Sequence, residues 1–465
     1  MRTHSIDDPA LPLDFPYAFN QPGEPIRLYT GSIAGFDSSE MNGRVFLHTV
    51  GTASLRWEMD VPDDYFSGSL DEATLSLAEK GLASNILSFR RQPDSGWINS
   101  AEIGSSQSTV RSVIVGWLNV PSLPGWNYLI AADGRRWPGR ISFVVGEWEI
   151  AIDQRPDHRE AFRNLDDQHY YLLTHVMEIR RSSGCVFEIA AAENIIEALR
   201  ITLSFMLGRW VSPALAIAYD LDGKLGWESW KSPICDPARR IGLECVSLSN
   251  RTEFMDLLVR STSAVADEVR QGVSRFRMQA SVTAAQTSFV EQRILAAFPA
   301  LENIAWEFLT LSGGGGGRKT ASSRRQYGSG ANRLRETLRL AGIPLGVNAS
   351  ALPALSRFAA DQGLPDGPAA LVKVRNELVH PKELNSRIYG CEGLMRDSWM
   401  LSRHYLALLI MFSTGFGGSF VNHLTATWVG EEEPVPWSIA ERLDSTFIEC
   451  RGSDRNGVSE IGGLS

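Results

Sequence analysis

The chain of 465 residues is too long for one small domain, and its 43% hydrophobic and 21% charged residues exclude a disordered or collagen-like protein. The net charge of -9 argues against a surface coated with nucleic acid, although a local basic patch can still attract a polyanion.

Residues 1–155 are predicted to form a β-rich amino-terminal domain. The run 141–152 has the clearest pattern, because Trp148, Ile150 and Ile152 alternate with polar or small residues, as in a half-buried strand. Clusters of Gly and Pro separate the runs. The other predicted strands lie at 26–29, 44–50, 55–61, 113–118 and 127–131.

Residues 156–281 are predicted to be a mixed α/β continuation of this region. Runs at 171–180 and 185–190 flank a Ser-Ser-Gly turn at 182–184, which predicts a hairpin. A helix with apolar residues from Ile195 to Met206 should end near Gly208, where glycine favours the helix end. A strand at 214–219, a turn at 222–223 and a second helix starting at 252–253 follow.

Residues 282–440 are predicted to be a helical domain, followed by a tail at 441–465. Apolar residues at helical spacing predict four main helices with a common apolar face, which favours an up-down four-helix bundle. Pro299 marks a kink or a fresh start in the first helix. The helices lie at 284–311, 330–341, 367–380 and 392–414, with a short extra one at 351–361. The predicted fold class is therefore α+β and multidomain.

The five cysteines are scattered, and none forms a Cys-x-x-Cys pair. This pattern supports neither a zinc site nor a disulfide framework. The first residues contain no apolar segment of signal-peptide length, and the longest strongly apolar run, 406–412, is too short to span a membrane. We therefore expect a cytoplasmic protein that has no membrane partner and no metal or other cofactor.

The third predicted helix has the sequence GPAALVKVRNELVHPK, and it contains the residues best suited to chemistry. Leu371, Val374 and Leu378 form its apolar stripe, and Arg375, Asn376 and His380 fall mostly off that stripe. In a continuous helix Arg375 and His380 would diverge by roughly 140°. Pro381 disfavours helical geometry at His380, so the helix should stop there and let His380 turn back.

These three side chains suit the cleavage of a phosphodiester bond. A histidine can transfer a proton, and a planar guanidinium can stabilise charge on the phosphoryl oxygens. No metal is needed if the nucleophile is the neighbouring 2′-hydroxyl, which RNA has and DNA lacks. In the alternative interpretation Arg375 is a solvated surface charge and His380 merely caps the helix. Glu302 and Glu307, on the first helix of the bundle, face either this site or solvent.

The motif Arg375-Asn-Glu-Leu-Val-His380 resembles the R-x4-6-H signature of HEPN ribonucleases. The segment ALENIAWEFL (300–309) resembles the first helix of that family, and residues 402–424 with PVPW (434–437) resemble its last helix and tail. The resemblance implies an all-α HEPN four-helix bundle that acts as a homodimer. It further implies that Arg375, Asn376 and His380 of both protomers form one composite catalytic site.

The middle of the chain resembles the amino-terminal region of ApeA-type anti-phage defence proteins, in which a HEPN nuclease follows a sensor-like domain. The segments that resemble it are THVMEIRRSSGCVFEIA (174–190), LSFMLGRW (203–210) and GWESW (226–230). The resemblance implies a role in abortive infection, which begins when a phage-derived trigger activates the nuclease. The implied substrate is RNA, and tRNA is one candidate.

A glycine run at 313–317 begins a strongly basic stretch. It does not match a phosphate-binding loop, because Arg318 occupies the position of the required glycine and the preceding segment is helical. We expect Arg318, Lys319, Arg324 and Arg325 to guide RNA into the site, and a solvated insertion is an equal alternative. Arg333, Arg335 and Arg339 continue the basic stretch into the second helix.

The predicted function is therefore a metal-independent RNA endonuclease regulated by an amino-terminal sensor. A different class remains open, namely a non-catalytic HEPN-like module for dimerisation or nucleotide binding. A nucleotide-modifying transferase is a further alternative, but it lacks an accompanying acidic metal-binding motif in the sequence.

Overall fold

The computed structural model describes most of the chain as two compact units. The first comprises Met1–Glu244 and Leu248–Arg275, and the second comprises Cys245–Ser247 and Phe276–Ser465. The residues described are 10–34, 40–60, 73–77, 82–89, 92–98, 100–125, 127–163, 169–237, 243–286, 289–311, 328–381 and 388–438.

A closed six-stranded barrel opens the first unit, with strand order β1-β2-β3-β6-β5-β4. Along β3, half-buried and buried residues alternate strictly, and Leu55 and Trp57 point into the core. This is the period of two expected of a strand with one face on the core. The strands are β1 (Ile26–Ala34), β2 (Glu40–His48), β3 (Ser54–Met59), β4 (Ala73–Leu77), β5 (Leu82–Phe89) and β6 (Gln92–Ile98).

An antiparallel sheet of eight strands follows, in the order β10-β11-β12-β13-β9-β15-β16-β7. Strand β9 is buried along its whole length, as befits a central strand. A separate two-stranded ladder joins β8 to β14. The strands are β7 (Ser100–Ile103), β8 (Thr109–Val110), β9 (Ser112–Leu118), β10 (Asn127–Ile130), β11 (Arg136–Val145), β12 (Trp148–Gln154), β13 (Leu173–Arg181), β14 (Phe187–Glu188), β15 (Ser212–Tyr219) and β16 (Leu225–Lys231).

Two strand predictions are wrong in detail. The run 141–152 is not one strand but a hairpin, in which β11 and β12 pair from Val145 opposite Trp148 and Gly146 takes φ 56° in the turn. The turn at 182–184 forms, but the chain after it does not pair back onto β13. Both edges of β13 are already occupied by β9 and β12, so β14 pairs with β8 instead.

The described part of the first unit wholly contains three helices: α1 (His158–Arg163), α2 (Ile189–Leu207) and α3 (Arg251–Ala266). Helix α2 ends as predicted, because Gly208 adopts φ 63° and its N–H donates to the carbonyls of Phe205 and Ser204. Helix α3 begins where the side chain of Asn250 accepts a hydrogen bond from the N–H of Glu253.

The rest of the described chain is mainly helical, which confirms an α+β protein with a β-rich amino-terminal half and a helical carboxyl-terminal half. The predicted helices agree with the observed α6 to α9. The first predicted helix, 284–311, starts six residues before α5, which runs unbroken through Pro299. The elements are α4 (Gln271–Gln286), α5 (Val290–Leu311), α6 (Gly330–Leu340), α7 (Pro353–Asp361), α8 (Gly367–Val379), α9 (Leu394–Ser413), β17 (Ser419–Phe420) and β18 (Glu433–Pro434).

Helix α5 packs against α6 and α9, and α8 contacts α6, α7 and α9. Helices α5 and α9 run in the same direction. The guanidinium of Arg293 lies 4.6 Å from the ring of Trp399 near their first turns, and the rings of Phe308 and Phe412 lie 5.2 Å apart near their last turns. Strict up-down alternation would make these helices antiparallel, so that expectation is wrong. The connections at 341–366 and 380–393 are long enough to return the chain to one end.

Among the described helices, none combines the length and hydropathy needed to cross a membrane.

Candidate active site

The helix that carries the predicted motif, α8, is held in place at its first turn. The side chain of Asp366 accepts a hydrogen bond from the N–H of Ala369 at 2.9 Å, and Pro368 occupies the position where a missing N–H costs least. Asp366 also forms an ion pair with Arg335 of α6. The start of α8 is therefore tied both to its own backbone and to a neighbouring helix.

The inner face of α8 consists of small and apolar residues. Ala370, Leu371 and Val374 are fully buried, whereas Leu378, which was predicted to continue the stripe, is only half-buried. Gly367 lies so close to Tyr405 that an added Cβ would be 2.6 Å from the tyrosine oxygen. This face fixes how α8 is rotated, so the motif residues lie toward its outer side.

The end of α8 is where the sequence predicted it. Val379 is the last helical residue, and His380 leaves the helix with φ -132° and ψ 66°. The N–H of His380 still donates to the carbonyl of Asn376 at 2.7 Å. His380 is therefore an exposed, non-helical residue whose backbone is still hydrogen-bonded to the last turn of α8.

Asn376 connects the other two predicted site residues. Nη1 of Arg375 donates to Oδ1 of Asn376 at 3.1 Å, and the backbone of Asn376 holds His380. The guanidinium of Arg375 also lies 6.0 Å from the ring centroid of Phe298, a buried residue of α5. The three predicted residues thus form one continuous patch, with Arg375 half-buried and Asn376 and His380 exposed.

Phe298 could not be found from the sequence. It is separated from Arg375 along the chain by the whole of α6 and α7, and a Phe in an apolar stripe is normally a core residue. A small cavity beside it, lined by residues that include Glu302, Gly330, Arg333 and Val372, shows that the start of α6 also lies next to α8. The chain that follows the predicted basic loop therefore approaches the helix that carries Arg375.

Among the charged residues considered for the predicted site, namely the basic stretch 318–339 and two glutamates of α5, those that the structure describes differ in their exposure and in their ion-pair partners. Arg318, Lys319, Arg324 and Arg325 lie outside the described residues, so their predicted role in RNA binding stays a prediction. Arg339 pairs with Glu336, and Glu307 pairs with Arg277 at 2.5 Å. Glu307 is therefore a structural partner, whereas Glu302 is exposed beside the start of α6.

The chemical capacity of the patch follows from its groups. A guanidinium can donate two parallel hydrogen bonds to phosphoryl oxygens, an amide can both donate and accept, and an exposed imidazole can transfer a proton. Within the part of the chain that the structure describes, no three His, Cys, Asp or Glu side chains converge on a point where they could hold a metal ion. Among the residues that the structure describes, His380 is the one histidine of this patch.

Two family descriptions match the chain, and both concern domains of a protein called YopA. Residues 105–241 match the YopA central domain, and residues 277–434 match the YopA C-terminal domain. The chain is also similar to the SPbeta prophage-derived uncharacterized protein YopA of Bacillus subtilis (strain 168). The two are 26% identical over 330 residues, which cover 65% of this chain and 67% of that protein. No solved structure matches the chain significantly. The candidate site lies within the residues matched by the C-terminal domain.

Proposed function

We propose that the second unit is an RNA endonuclease of the HEPN type and that Arg375, Asn376 and His380 form its active site. The observation that supports this most directly is the continuous patch at the end of α8. There Asn376 accepts from the Arg375 side chain and holds the His380 backbone. The Arg375–Asn376 hydrogen bond links two side chains of the motif, and the exposure of Asn376 and His380 leaves both accessible to a substrate.

The proposed reaction is a transesterification within the RNA strand. The 2′-hydroxyl attacks the adjacent phosphorus, its proton passes to a neutral imidazole, and the 5′-oxygen leaves with a proton from an acid. The products are a 2′,3′-cyclic phosphate and a 5′-hydroxyl. Arg375 stabilises the negative charge that develops on the phosphoryl oxygens, and Asn376 orients Arg375. The nucleophile belongs to the substrate, so the reaction needs no metal-bound water.

The reaction uses a base and an acid, and one chain supplies one His380. We therefore propose a homodimer through the second unit, as the HEPN resemblance implies, with the two His380 side chains on opposite sides of the scissile phosphate. The exposure of His380 and Asn376 leaves them open to such a partner. The site is composite, and a monomer holds half of it.

The biological role that we propose is cytoplasmic anti-phage defence by abortive infection, with the first unit as sensor or regulator. The resemblance to ApeA-type proteins supports this role, and the prophage origin of the Bacillus subtilis relative fits it. A phage-derived trigger would release the nuclease, and RNA such as tRNA would be its target.

Incubating the purified full-length protein with RNA in EDTA tests the activity. Arg375→Ala and His380→Ala should each abolish cleavage, whereas Arg357→Ala and His169→Ala, at exposed positions outside the site, should not. Equal cleavage by wild type and both site variants would contradict the assignment. A wild type that forms dimers or binds nucleotides but cuts no RNA, both alone and with an extract of phage-infected cells as a source of trigger, would favour the non-catalytic alternative.

A further inference from the structure

The first unit contains a cavity of about 470 Å³ between α2 and the sheet strands β9, β15 and β16. Protein interiors normally pack densely, and cavities of roughly 300–1,000 Å³ are typical of sites for small ligands. The cavity is remote in sequence from the proposed nuclease residues, and it lies within the stretch 105–241 that matches the central domain.

Small side chains on the sheet leave this space open. Ala214 and Ala216 of β15 line the cavity at positions where a strand against a helix would ordinarily carry larger residues. Trp227 of β16 also lines it and is buried, and its Nε1 donates to Glu102 at 2.7 Å. Because its polar edge is already satisfied, the almost fully buried indole is held in one orientation and supports the floor of the cavity. The floor of the cavity is thus largely apolar and fixed.

The rim of the cavity carries two cationic and two anionic side chains, which form two ion pairs. Lys231 of β16 pairs with Glu193 of α2 at 2.8 Å, and both side chains are more than a third exposed. Such an exposed pair is weak, so it can open and close at little cost. With no excess charge at the rim, the cavity favours a ligand without net charge over a phosphate or a cation.

The second pair is more rigid. Nε and Nη2 of Arg200 donate to the two carboxylate oxygens of Glu197, each at 2.7 Å, and the guanidinium lies 5.3 Å from the ring centroid of Trp210. The side chain of Arg200 is only 17% exposed. A guanidinium has five N–H donors and a carboxylate has further lone pairs, so the pair still offers donors and acceptors side by side. That pattern complements the edge of a heterocyclic ring.

We propose that this cavity binds a neutral, planar heteroaromatic molecule of about the size of a nucleoside. The ring lies on the apolar floor formed by Ala214, Ala216 and Trp227, and its polar edge faces Arg200 and Glu197. The weak pair of Glu193 and Lys231 opens to admit the ligand. Because α2 forms one wall, occupancy would stabilise α2 against the sheet.

Equilibrium binding of adenosine, guanosine, cytidine and uridine to the full-length protein tests this proposal. At least one of them should bind saturably and raise the melting temperature, because a ligand that binds the folded state stabilises it. Ribose 5-phosphate, which is charged and lacks the ring, should not bind. If none of the four nucleosides binds, or if ribose 5-phosphate binds equally well, the ligand class is wrong.

Four variants test whether the nucleoside binds in this cavity. Ala216→Leu fills the cavity and Arg200→Gln removes charged donors, and each should weaken binding at least about tenfold. Ala151→Leu changes a half-buried alanine of another strand, and Arg260→Gln removes a similar helical Arg–acid pair on α3. Both controls should bind like the wild type. Unchanged affinity in folded Ala216→Leu and Arg200→Gln would move the site elsewhere. Arg375→Ala should retain binding, so this result is independent of the proposed nuclease.

Discussion

The carboxylate of Asp366 accepts hydrogen bonds from both Nε and Nη2 of Arg335, while it also caps the helix that carries Arg375 and His380. Both side chains are mostly buried, at 16% and 10% exposure. Asp366 therefore has two roles. It accepts a hydrogen bond from the N–H of Ala369, which has no partner within α8, and it anchors that helix to α6.

Asp366→Ala should destabilise the second unit by about 2–4 kcal/mol, because it removes a helix cap and leaves the Arg335 guanidinium without its buried partner. Urea denaturation followed by circular dichroism at 222 nm measures the change. Arg339→Ala is the matched control, since the Arg339–Glu336 pair is exposed and should contribute about 1 kcal/mol or less. Similar losses in the two variants would show that Asp366 is not an anchor.

Asn376 should affect catalysis more than stability, because its side chain is exposed and its one described side-chain contact is with Arg375. Asn376→Ala should lower the rate of RNA cleavage by roughly 10- to 100-fold through loss of one orienting hydrogen bond. Asn376→Asp should lower it further, since a carboxylate would pair with Arg375 and repel the phosphate. Initial rates measure both effects, and melting temperatures show whether the fold is intact. A faster Asn376→Asp than Asn376→Ala would refute the orienting role.

Local signals in the sequence were sufficient to predict α8. Pro368 marks its start and Pro381 its end, and both act on neighbouring residues whatever the tertiary structure is. The same is true of the end of α2 at Gly208. The coarse division into a β-rich half and a helical half follows from the change in hydrophobic period along the chain.

Pairings between distant residues were not predictable. The sequence showed Arg335 only as part of a basic stretch that continues into the second bundle helix, and the structure pairs it with Asp366, 31 residues further along the chain. The direction of α5 relative to α9 depends on connections whose paths have no sequence signature. The hairpin at 141–152 was missed because only Gly146 and Glu147 separate the two strands, so the turn between Val145 and Trp148 is a very short interruption of the strand pattern.

Gly208 should tolerate substitution worse than the positive-φ glycines that have open space around them, such as Gly184. An added Cβ would lie 2.5 Å from the carbonyl oxygen of Leu243, in addition to the strain of φ 63°. Gly208→Ala should therefore cost more than about 2 kcal/mol, whereas Gly184→Ala, at φ 74° with open space around it, should cost about 1 kcal/mol. Denaturation of the two variants measures the difference. Equal costs would mean that the backbone at Leu243 moves away freely.

Buried histidines should make the first unit sensitive to acid. Burial lowers the pKa of His158 from 6.5 to about 4. The positive charges of Arg155 and Arg209 lower it further, whereas the Val120 carbonyl and the Asp157 carboxylate oppose the shift. Burial also lowers the pKa of His175, whose ring lies 5.5 Å from that of His158. At a pH just below 6.5, both imidazoles are thus neutral in the folded state, whereas they would be protonated in the unfolded chain.

The contribution of His158 to stability is complete above pH 6.5, because both states are then neutral. It is lost as the pH falls from 6.5 to about 4, since the unfolded chain binds a proton that the folded unit does not. The loss should amount to roughly 3 kcal/mol. Urea denaturation followed by tryptophan fluorescence, at steps of pH across this range, measures it. His158→Gln should reduce the loss of stability and leave the part due to His175, and His169→Gln, at an exposed position, should keep the profile of the wild type. A wild-type stability that stays constant from pH 6.5 to pH 4 would show that His158 is protonated in the folded unit.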